Sequence, residues 1–204
     1  MPDYKLTLTV LGIVIGLIGY VPYFRDLYRG TTKPHFFSWF VWAVLGGIAF
    51  VAQLVAGGGW GSWVTGVMAF TCSIVAVIAL FRGEKNIMFL DWVCFVGALI
   101  GIAVWLFTSN PVGAVVIVTV VDLVAFIPTF RKSYTKPDEE TTFEYALASV
   151  KCALSIFALQ SYSIATWLYP ASLVISNAAF VVMSLVRRRQ LQSPLILTPN
   201  WPQP

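Results

Sequence analysis

Seven long apolar runs dominate this sequence and leave only short connections between them. They lie near 6–24, 36–56, 63–82, 88–108, 111–131, 143–161 and 164–186. A helix needs about 20 mostly apolar residues to cross the hydrocarbon core of a bilayer. Charged residues make up 11% of the 204 residues, whereas soluble domains carry roughly 25%. The pattern therefore predicts an all-α integral membrane protein with seven transmembrane helices.

Lysines and arginines are concentrated on one side of this predicted helix arrangement. Eleven of the thirteen follow the odd-numbered apolar runs: Arg25, Arg29, Lys33, Arg82, Lys85, Arg131, Lys132, Lys136, Arg187, Arg188 and Arg189. The other connections, around 57–62, 108–110 and 161–163, carry neither residue type. By the positive-inside rule the basic side is cytoplasmic. The sequence thus predicts the cell (inner) membrane, an outside N-terminus and a cytoplasmic C-terminus.

Two segments of the chain resemble each other. Residues 20–39 read YVPYFRDLYRGTTKPHFFSW, and residues 126–145 read FIPTFRKSYTKPDEETTFEY. The matched pairs include Pro22 with Pro128, Phe24 with Phe130, Arg25 with Arg131, Tyr28 with Tyr134, and, allowing short gaps, Trp63 with Trp167 and Arg82 with Arg187. Such a pattern predicts an internal repeat of three helices.

The number of helices between the copies determines their relative orientation. Three helices plus one linker helix place both copies the same way up, related by an axis along the membrane normal. We therefore expect 3+1+3 parallel triple-helix-bundle repeats. The first bundle would cover residues 1–83, the linker helix 84–110, the second bundle 111–190, and a flexible C-terminal tail 191–204.

The segments VPYFRDLYRGTTKP and IPTFRKSYTKP, with the 3+1+3 layout, resemble the SWEET, SemiSWEET and PQ-loop transporter superfamily. The resemblance covers roughly residues 6–187, and Pro128-Thr129-Phe130 is similar to the SWEET pattern at the end of the fifth helix. It implies a substrate-binding asparagine at Asn177. It also implies hinges at Pro22 and Pro128 for an inner gate, since proline removes a helical hydrogen bond. SWEET-like architecture occurs in vitamin-precursor importers too, so the fold does not name a substrate.

Two charges fall inside apolar runs, near the predicted midplane. Asp122 lies about eleven residues into the fifth run, and Lys151 about eight into the sixth. A charge at that depth costs about 2.5–3.5 kcal/mol on insertion scales, so each should face the interior and find a partner. The simplest hypothesis is that they pair with each other. The pair would either line a substrate cavity or lock two helices together.

Other polar and aromatic residues are candidates at similar depth. Cys72 and Ser73 in the third run could hydrogen-bond a substrate, and Trp42 could stack on a sugar or heterocycle. Gln53 and Gln160, near the outer ends of equivalent helices, are candidates for an outer gate; solvated helix ends explain them equally well.

The sequence favours a transporter of a small polar solute working by alternating access, with sugar uniport as the first expectation. Proton-coupled transport of an amino acid or vitamin precursor is the alternative, as is a membrane interaction or receptor subunit without transport. No catalytic set, metal cluster or cofactor motif is present, which predicts neither an enzyme nor a metalloprotein. The expected partners are the substrate, the lipid bilayer and possible further copies of the chain in a homo-oligomer, but no nucleic acid.

Overall fold

The computed structural model describes residues 4–84, 87–106 and 111–192, which form seven α-helices with no strand in these ranges. The helices are α1 (Tyr4–Arg29), α2 (Phe36–Val55), α3 (Ser62–Arg82), α4 (Phe89–Leu106), α5 (Pro111–Thr135), α6 (Thr142–Phe157) and α7 (Ile164–Gln192). Short 3-10 turns at Gly59–Gly61 and Pro137–Glu139 precede α3 and α6. The predicted all-helical class and the number of helices are confirmed.

Four segments are long and apolar enough to cross a membrane, among the residues described: Tyr4–Arg29, Phe36–Val55, Gly59–Arg82 and Ile164–Leu191. Large apolar side chains such as Val21, Phe70, Val77 and Ile175 are exposed on the helix surfaces. Soluble proteins rarely expose so much apolar surface to water, whereas an apolar surface is favourable in contact with lipid. The long apolar helices and their exposed apolar surface are therefore consistent with a membrane protein.

The helix ends differ from the sequence prediction at four places, one of which is the end of α6 at Phe157, before the predicted end of the sixth apolar run. Helices α1 and α5 each run several residues beyond the apolar run, into the basic segments that follow. Helix α7 continues through Leu191 and Gln192, which were predicted to belong to the C-terminal tail. Residues 193–204 of that tail lie outside the described residues. Hydropathy misses such extensions because a helix remains hydrogen-bonded after its side chains become polar.

Glycines on α1 allow α6 to pack closely against it. Gly12, Gly16 and Gly19 recur at intervals of four and three residues and so share one helix face. A Cβ atom at Gly16 would lie 2.8 Å from Lys151 Cδ, and one at Gly19 would lie 3.2 Å from Leu147 Cβ. Small residues are typical of such close contacts between membrane helices. This contact brings α6, with its charged residues, to the middle of the molecule.

One end of the helix arrangement carries the connections α1–α2 and α5–α6 and the C-termini of α3 and α7; we call it the basic end. Arg82 donates from Nη1 to the Tyr28 carbonyl oxygen at 2.9 Å, and its guanidinium lies 5.2 Å from the Tyr28 ring centroid. Arg187 donates from Nε to the Tyr134 carbonyl oxygen at 3.1 Å, with its guanidinium 4.1 Å from that ring. The same arginine–tyrosine contact thus occurs twice.

The opposite end, which we call the glycine end, joins the α2–α3 connection to the end of α6. The Gln160 backbone N–H donates to the Gly58 carbonyl oxygen at 3.1 Å. A Cβ atom at Gly61 would lie 2.7 Å from the Ser155 carbonyl oxygen and 3.0 Å from backbone atoms of Ala158 and Leu159. The backbones touch here, so these connections pack without intervening side chains.

Helix α4 is tied to its neighbours by a buried carboxylate near its first residue. Asp91 is fully buried and accepts a hydrogen bond from Arg131 Nη2 of α5 at 2.7 Å. His35 Nε2, just before α2, lies 3.4 Å from the same carboxylate. Burial is the main influence on His35 and lowers the pKa of its imidazole, while Asp91 opposes this shift.

Candidate functional site

A small cavity lies in the interior where α1, α2, α3, α5, α6 and α7 meet. Its volume is about 30 Å³, room for one or two water molecules. Its lining residues are all at least nine-tenths buried. They are Tyr20, Trp39, Trp42, Met68, Cys72, Asp122, Phe126, Glu144, Tyr145, Ala148, Lys151, Tyr169, Leu173 and Asn177. Charged and polar side chains meet here within a mostly aromatic and apolar lining at the centre of the helices, so this cavity is a candidate binding site.

Five of the six predicted substrate-binding residues line this cavity: Trp42, Cys72, Asp122, Lys151 and Asn177. The sixth, Ser73, lies on an exposed face of α3, and its hydroxyl donates to the Ala69 carbonyl oxygen of its own helix at 2.9 Å. The prediction for Ser73 placed it at the correct depth but on the wrong face. Neighbouring helical residues differ by about 100° in direction, so Cys72 points inward and Ser73 does not.

Lys151 forms an ion pair with Glu144, two turns earlier on α6. Lys151 Nζ lies 3.5 Å from Glu144 Oε1, and both side chains are buried. The ammonium also lies 4.9 Å from the centroid of the Tyr20 ring, a cation–π distance. The aliphatic part of the lysine passes over Gly16, where a larger residue would collide with it. Lys151 is therefore held by two elements, α1 and α6.

Asp122 occupies the other side of the cavity and has a different partner. Its Oδ1 accepts a hydrogen bond from the Tyr169 hydroxyl of α7 at 3.2 Å. Its Oδ2 is buried and has no hydrogen-bond partner in the described part of the chain. A buried carboxylate oxygen normally has a hydrogen-bond partner, so a water, an ion or a ligand is expected beside Oδ2.

The prediction that Asp122 and Lys151 pair directly is wrong. Both line the cavity, but Lys151 is paired with Glu144 and Asp122 with Tyr169. Sequence depth located both charges correctly, yet it carries no information on how each helix is rotated. The sequence prediction did not include Glu144. A spacing of seven residues places Glu144 on the same helix face as Lys151, so this spacing could have indicated that the two side chains pair.

Two tryptophans contribute unpaired hydrogen-bond donors to the lining. The Trp39 and Trp42 rings lie 5.3 Å apart in an edge-on arrangement, and Trp42 lies 4.5 Å from Phe126. Both indole Nε1 atoms are buried and have no partner among the described residues. Indole N–H groups usually find an acceptor when they are buried. The cavity lining therefore includes two donors and one acceptor that no described residue satisfies.

Asn177 and Cys72 complete the polar lining. The Asn177 side-chain amide donates to the Leu173 carbonyl oxygen, one turn earlier on α7, at 2.7 Å. The Cys72 Sγ atom lies 3.8 Å from the Tyr20 hydroxyl oxygen, in hydrogen-bond geometry. Both side chains are anchored to the protein, so they restrict the shape of the cavity.

The four predicted gating residues lie toward the two ends of the cavity. Pro22 and Pro128 are inside α1 and α5, several residues before the basic end. Gln53 is fully buried and donates from Nε2 to the Thr166 carbonyl oxygen at 3.2 Å, which links α2 to α7. Gln160 is exposed and covers Gly59, where a Cβ atom would lie 2.3 Å from its side chain. Whether these residues open and close the protein stays a prediction.

The basic end is closed by a buried network that the sequence did not reveal. Lys132 Nζ donates to Glu140 Oε1 at 2.8 Å, to the Glu139 carbonyl oxygen at 2.9 Å, and to the Lys33 carbonyl oxygen. Glu140 Oε2 also accepts from the hydroxyls of Tyr23 and Tyr145. Burial raises the pKa of the Glu140 carboxyl, and Lys132 opposes that rise. The network joins both basic-end connections above the cavity.

We expect Tyr169→Phe to lower stability by about 1–3 kcal/mol, the usual cost of leaving a buried polar group unsatisfied. The change removes the hydroxyl that donates to Asp122 and leaves both carboxylate oxygens without a described partner. Tyr134→Phe is the control, because Tyr134 is exposed at the basic end. Thermal unfolding in detergent micelles measures both variants. Equal unfolding midpoints for the two would show that the Tyr169–Asp122 bond contributes nothing.

Comparisons of the chain with protein-family models, with curated proteins and with solved structures found no match.

Proposed function

We propose that this protein is a membrane transporter that moves a small polar solute by alternating access. The observation that carries the proposal is the central cavity, whose buried donors and acceptor lack partners within the described part of the chain. A helix arrangement that only had to be stable would fill this space with apolar side chains. Unsatisfied polar groups at this depth favour a polar ligand.

The helix packing supports the proposed 3+1+3 arrangement of the SWEET and PQ-loop superfamily. Helix α1 packs on α6, and α5 packs on α2. If a twofold axis relates α1–α3 to α5–α7, then α1 corresponds to α5 and α2 to α6, so these two contacts are equivalent. The arginine–tyrosine contacts of Arg82 with Tyr28 and of Arg187 with Tyr134 also correspond under this exchange. On this proposal the cavity lies between two equivalent bundles, where transporters with parallel repeats bind substrate.

Contacts between the proposed bundles close the cavity at both ends. At the basic end, the hydroxyls of Thr32 and Thr141 lie 2.5 Å apart and Lys33 Nζ lies 2.8 Å from Glu139 Oε1. At the glycine end, Gln53 binds the Thr166 backbone and the 57–61 connection packs on the end of α6. A ligand pocket usually needs about 300 Å³ or more. We therefore assign this conformation to an occluded state, which must widen to hold a solute.

A reversible cross-link at the basic end tests alternating access. We expect the double variant Thr32→Cys, Thr141→Cys to lose solute exchange when it is oxidised in proteoliposomes and to regain it on reduction. The assay is counterflow of labelled sugars, amino acids, nucleosides and choline, and Thr32→Cys alone is the control that cannot form the bridge. Undiminished exchange in the cross-linked protein would contradict a gate at this end.

Other outcomes of the same assay would select the alternatives. If no solute in the panel is exchanged by the native protein, a membrane interaction or receptor subunit becomes the better assignment. A proton flux that accompanies exchange and disappears in Asp122→Asn would select proton coupling. A lysine-modifying reagent that cannot cross the membrane, applied to sealed vesicles, shows on which side Lys33 and Lys136 lie. Labelling from the cytoplasmic side alone would agree with the positive-inside rule.

A further inference from the structure

The charges that line the cavity do not balance. Two carboxylates, Asp122 and Glu144, face one ammonium group, that of Lys151. Lys151 is committed to Glu144, with 3.5 Å between Nζ and Oε1. Asp122 receives only the neutral Tyr169 hydroxyl, and its Oδ2 has no partner among the described residues. The cavity therefore holds one carboxyl group, that of Asp122, for which no described side chain supplies a positive charge.

An uncompensated charge at this depth favours a mobile cation. Breaking a buried ion pair is strongly unfavourable because a single charge is left in a medium of low dielectric constant. A bound cation would complete an ion pair with the carboxylate, as a lysine side chain of the protein would. Glu144 and Lys151 show this arrangement on the other side of the cavity. Asp122 has the carboxylate half of such a pair, and no cation from the described residues completes it.

The walls around Asp122 suit an organic cation rather than a bare metal ion. Trp42 and Phe126 lie 4.5 Å apart, and Trp39 packs edge-on against Trp42. Tyr169, whose hydroxyl binds Asp122, supplies a further ring. Aromatic rings attract ammonium groups through their electron-rich faces, and several rings together recognise quaternary ammonium compounds. A metal ion would need several oxygen ligands, whereas the walls here are mostly aromatic.

The unpaired indole donors add a second requirement. The Nε1 atoms of Trp39 and Trp42 need an acceptor that the described protein does not supply. A ligand oxygen would satisfy them, because such donors form hydrogen bonds with any hydroxyl or carbonyl oxygen within reach. The lining thus favours a ligand with a positive charge near Asp122 and an oxygen atom near the indole N–H groups. A neutral sugar supplies the oxygen but leaves Asp122 unpaired.

Resting on the transport function proposed above, we infer that the solute is a small organic monocation that carries at least one oxygen acceptor. Its ammonium group pairs with Asp122 Oδ2 among the aromatic rings, and its oxygen accepts from the indole N–H groups. Choline is the simplest probe with both features. Its uncharged isostere, dimethylbutanol, keeps the shape and the hydroxyl, whereas tetramethylammonium keeps the charge and lacks the oxygen.

Binding is measured on the purified full-length protein in detergent by scintillation proximity with labelled choline, with the other two compounds as competitors. We expect choline to bind at least about tenfold more tightly than dimethylbutanol, as for a desolvated cation among aromatic rings. Tetramethylammonium should fall between them because it leaves the indoles unpaired. If the cations bind no more tightly than dimethylbutanol, the inference is overturned, and this comparison needs no variant.

Two variants test which residue recognises the charge of the ligand and which recognises its oxygen atom. Asp122→Asn keeps the shape and removes the charge, so the preference for choline over dimethylbutanol should vanish. Trp42→Phe keeps a ring and removes a donor, so the advantage of choline over tetramethylammonium should shrink while the preference for cations stays. Ser73→Ala, outside the cavity, is the control that should bind like the native protein. An Asp122→Asn variant that retains the full preference would overturn the assignment.

The inference and the proposed function fail in different ways. If choline binds with the expected preference but does not enter proteoliposomes under an inside-negative potential, the transport proposal fails and the binding inference stands. If neutral sugars exchange rapidly and no cation binds preferentially, transport stands and the cation inference fails.

Discussion

Replacing Lys151 with methionine should destabilise the protein by about 3–5 kcal/mol, the cost typical of removing one partner of a buried ion pair. The change leaves Glu144 buried without its cation and removes the ammonium group 4.9 Å from the Tyr20 ring centroid. Methionine has a similar length and flexibility, so the packing over Gly16 is largely kept. Thermal or denaturant unfolding in detergent micelles measures the effect.

The double variant Lys151→Met, Glu144→Gln separates charge from shape. Both charges are then gone, and replacing a buried ion pair as a whole is often neutral or even stabilising. We therefore expect the double variant to regain most of the stability that the single variant loses. If Lys151→Met is as stable as the native protein, or if the double variant shows no recovery, the buried pair does not have the role described here.

Gly61→Ala should destabilise the glycine end by about 1–3 kcal/mol or more, as expected when a methyl group is forced into a close-packed contact. The added Cβ would lie 2.7 Å from the Ser155 carbonyl oxygen and 3.0 Å from backbone atoms of Ala158 and Leu159. These backbone atoms belong to the end of α6 and cannot rotate away as a side chain could. Gly61 has a φ of −57°, so alanine meets no backbone strain of its own.

Gly47→Ala is the matched control within α2. A Cβ atom there meets nothing within 4 Å, and alanine is favoured over glycine inside a helix by up to about 1 kcal/mol. We expect this variant to be neutral or slightly stabilised. In counterflow, Gly61→Ala should also alter exchange if closure at the glycine end is part of the cycle. Equal stability of the two variants would contradict the backbone contact at this end.

Local sequence information was enough for the helices and their depth. The lengths of the apolar runs determine how many helices can form, since each needs about 20 residues. Depth along a run then placed Trp42, Cys72, Asp122, Lys151 and Asn177 at the level of the cavity. The spacing of other residues also indicates helix faces. Gly12, Gly16 and Gly19 mark the face of α1 that meets α6, and Glu144 shares a face with Lys151.

Only the tertiary structure determined which groups meet. Depth is a property of one helix, whereas a contact depends on how two helices are rotated and how closely they pack. Ser73 has the depth of Cys72 but faces outward, and Lys151 faces Glu144 and Tyr20 rather than Asp122. The Lys132–Glu140 network joins the end of α5 to the α5–α6 connection, in a segment that hydropathy treats only as polar. The sequence by itself thus determined apolar helices with charged residues inside them, and packing alone decided that Lys151 pairs with Glu144 while Asp122 Oδ2 has no partner among the described residues.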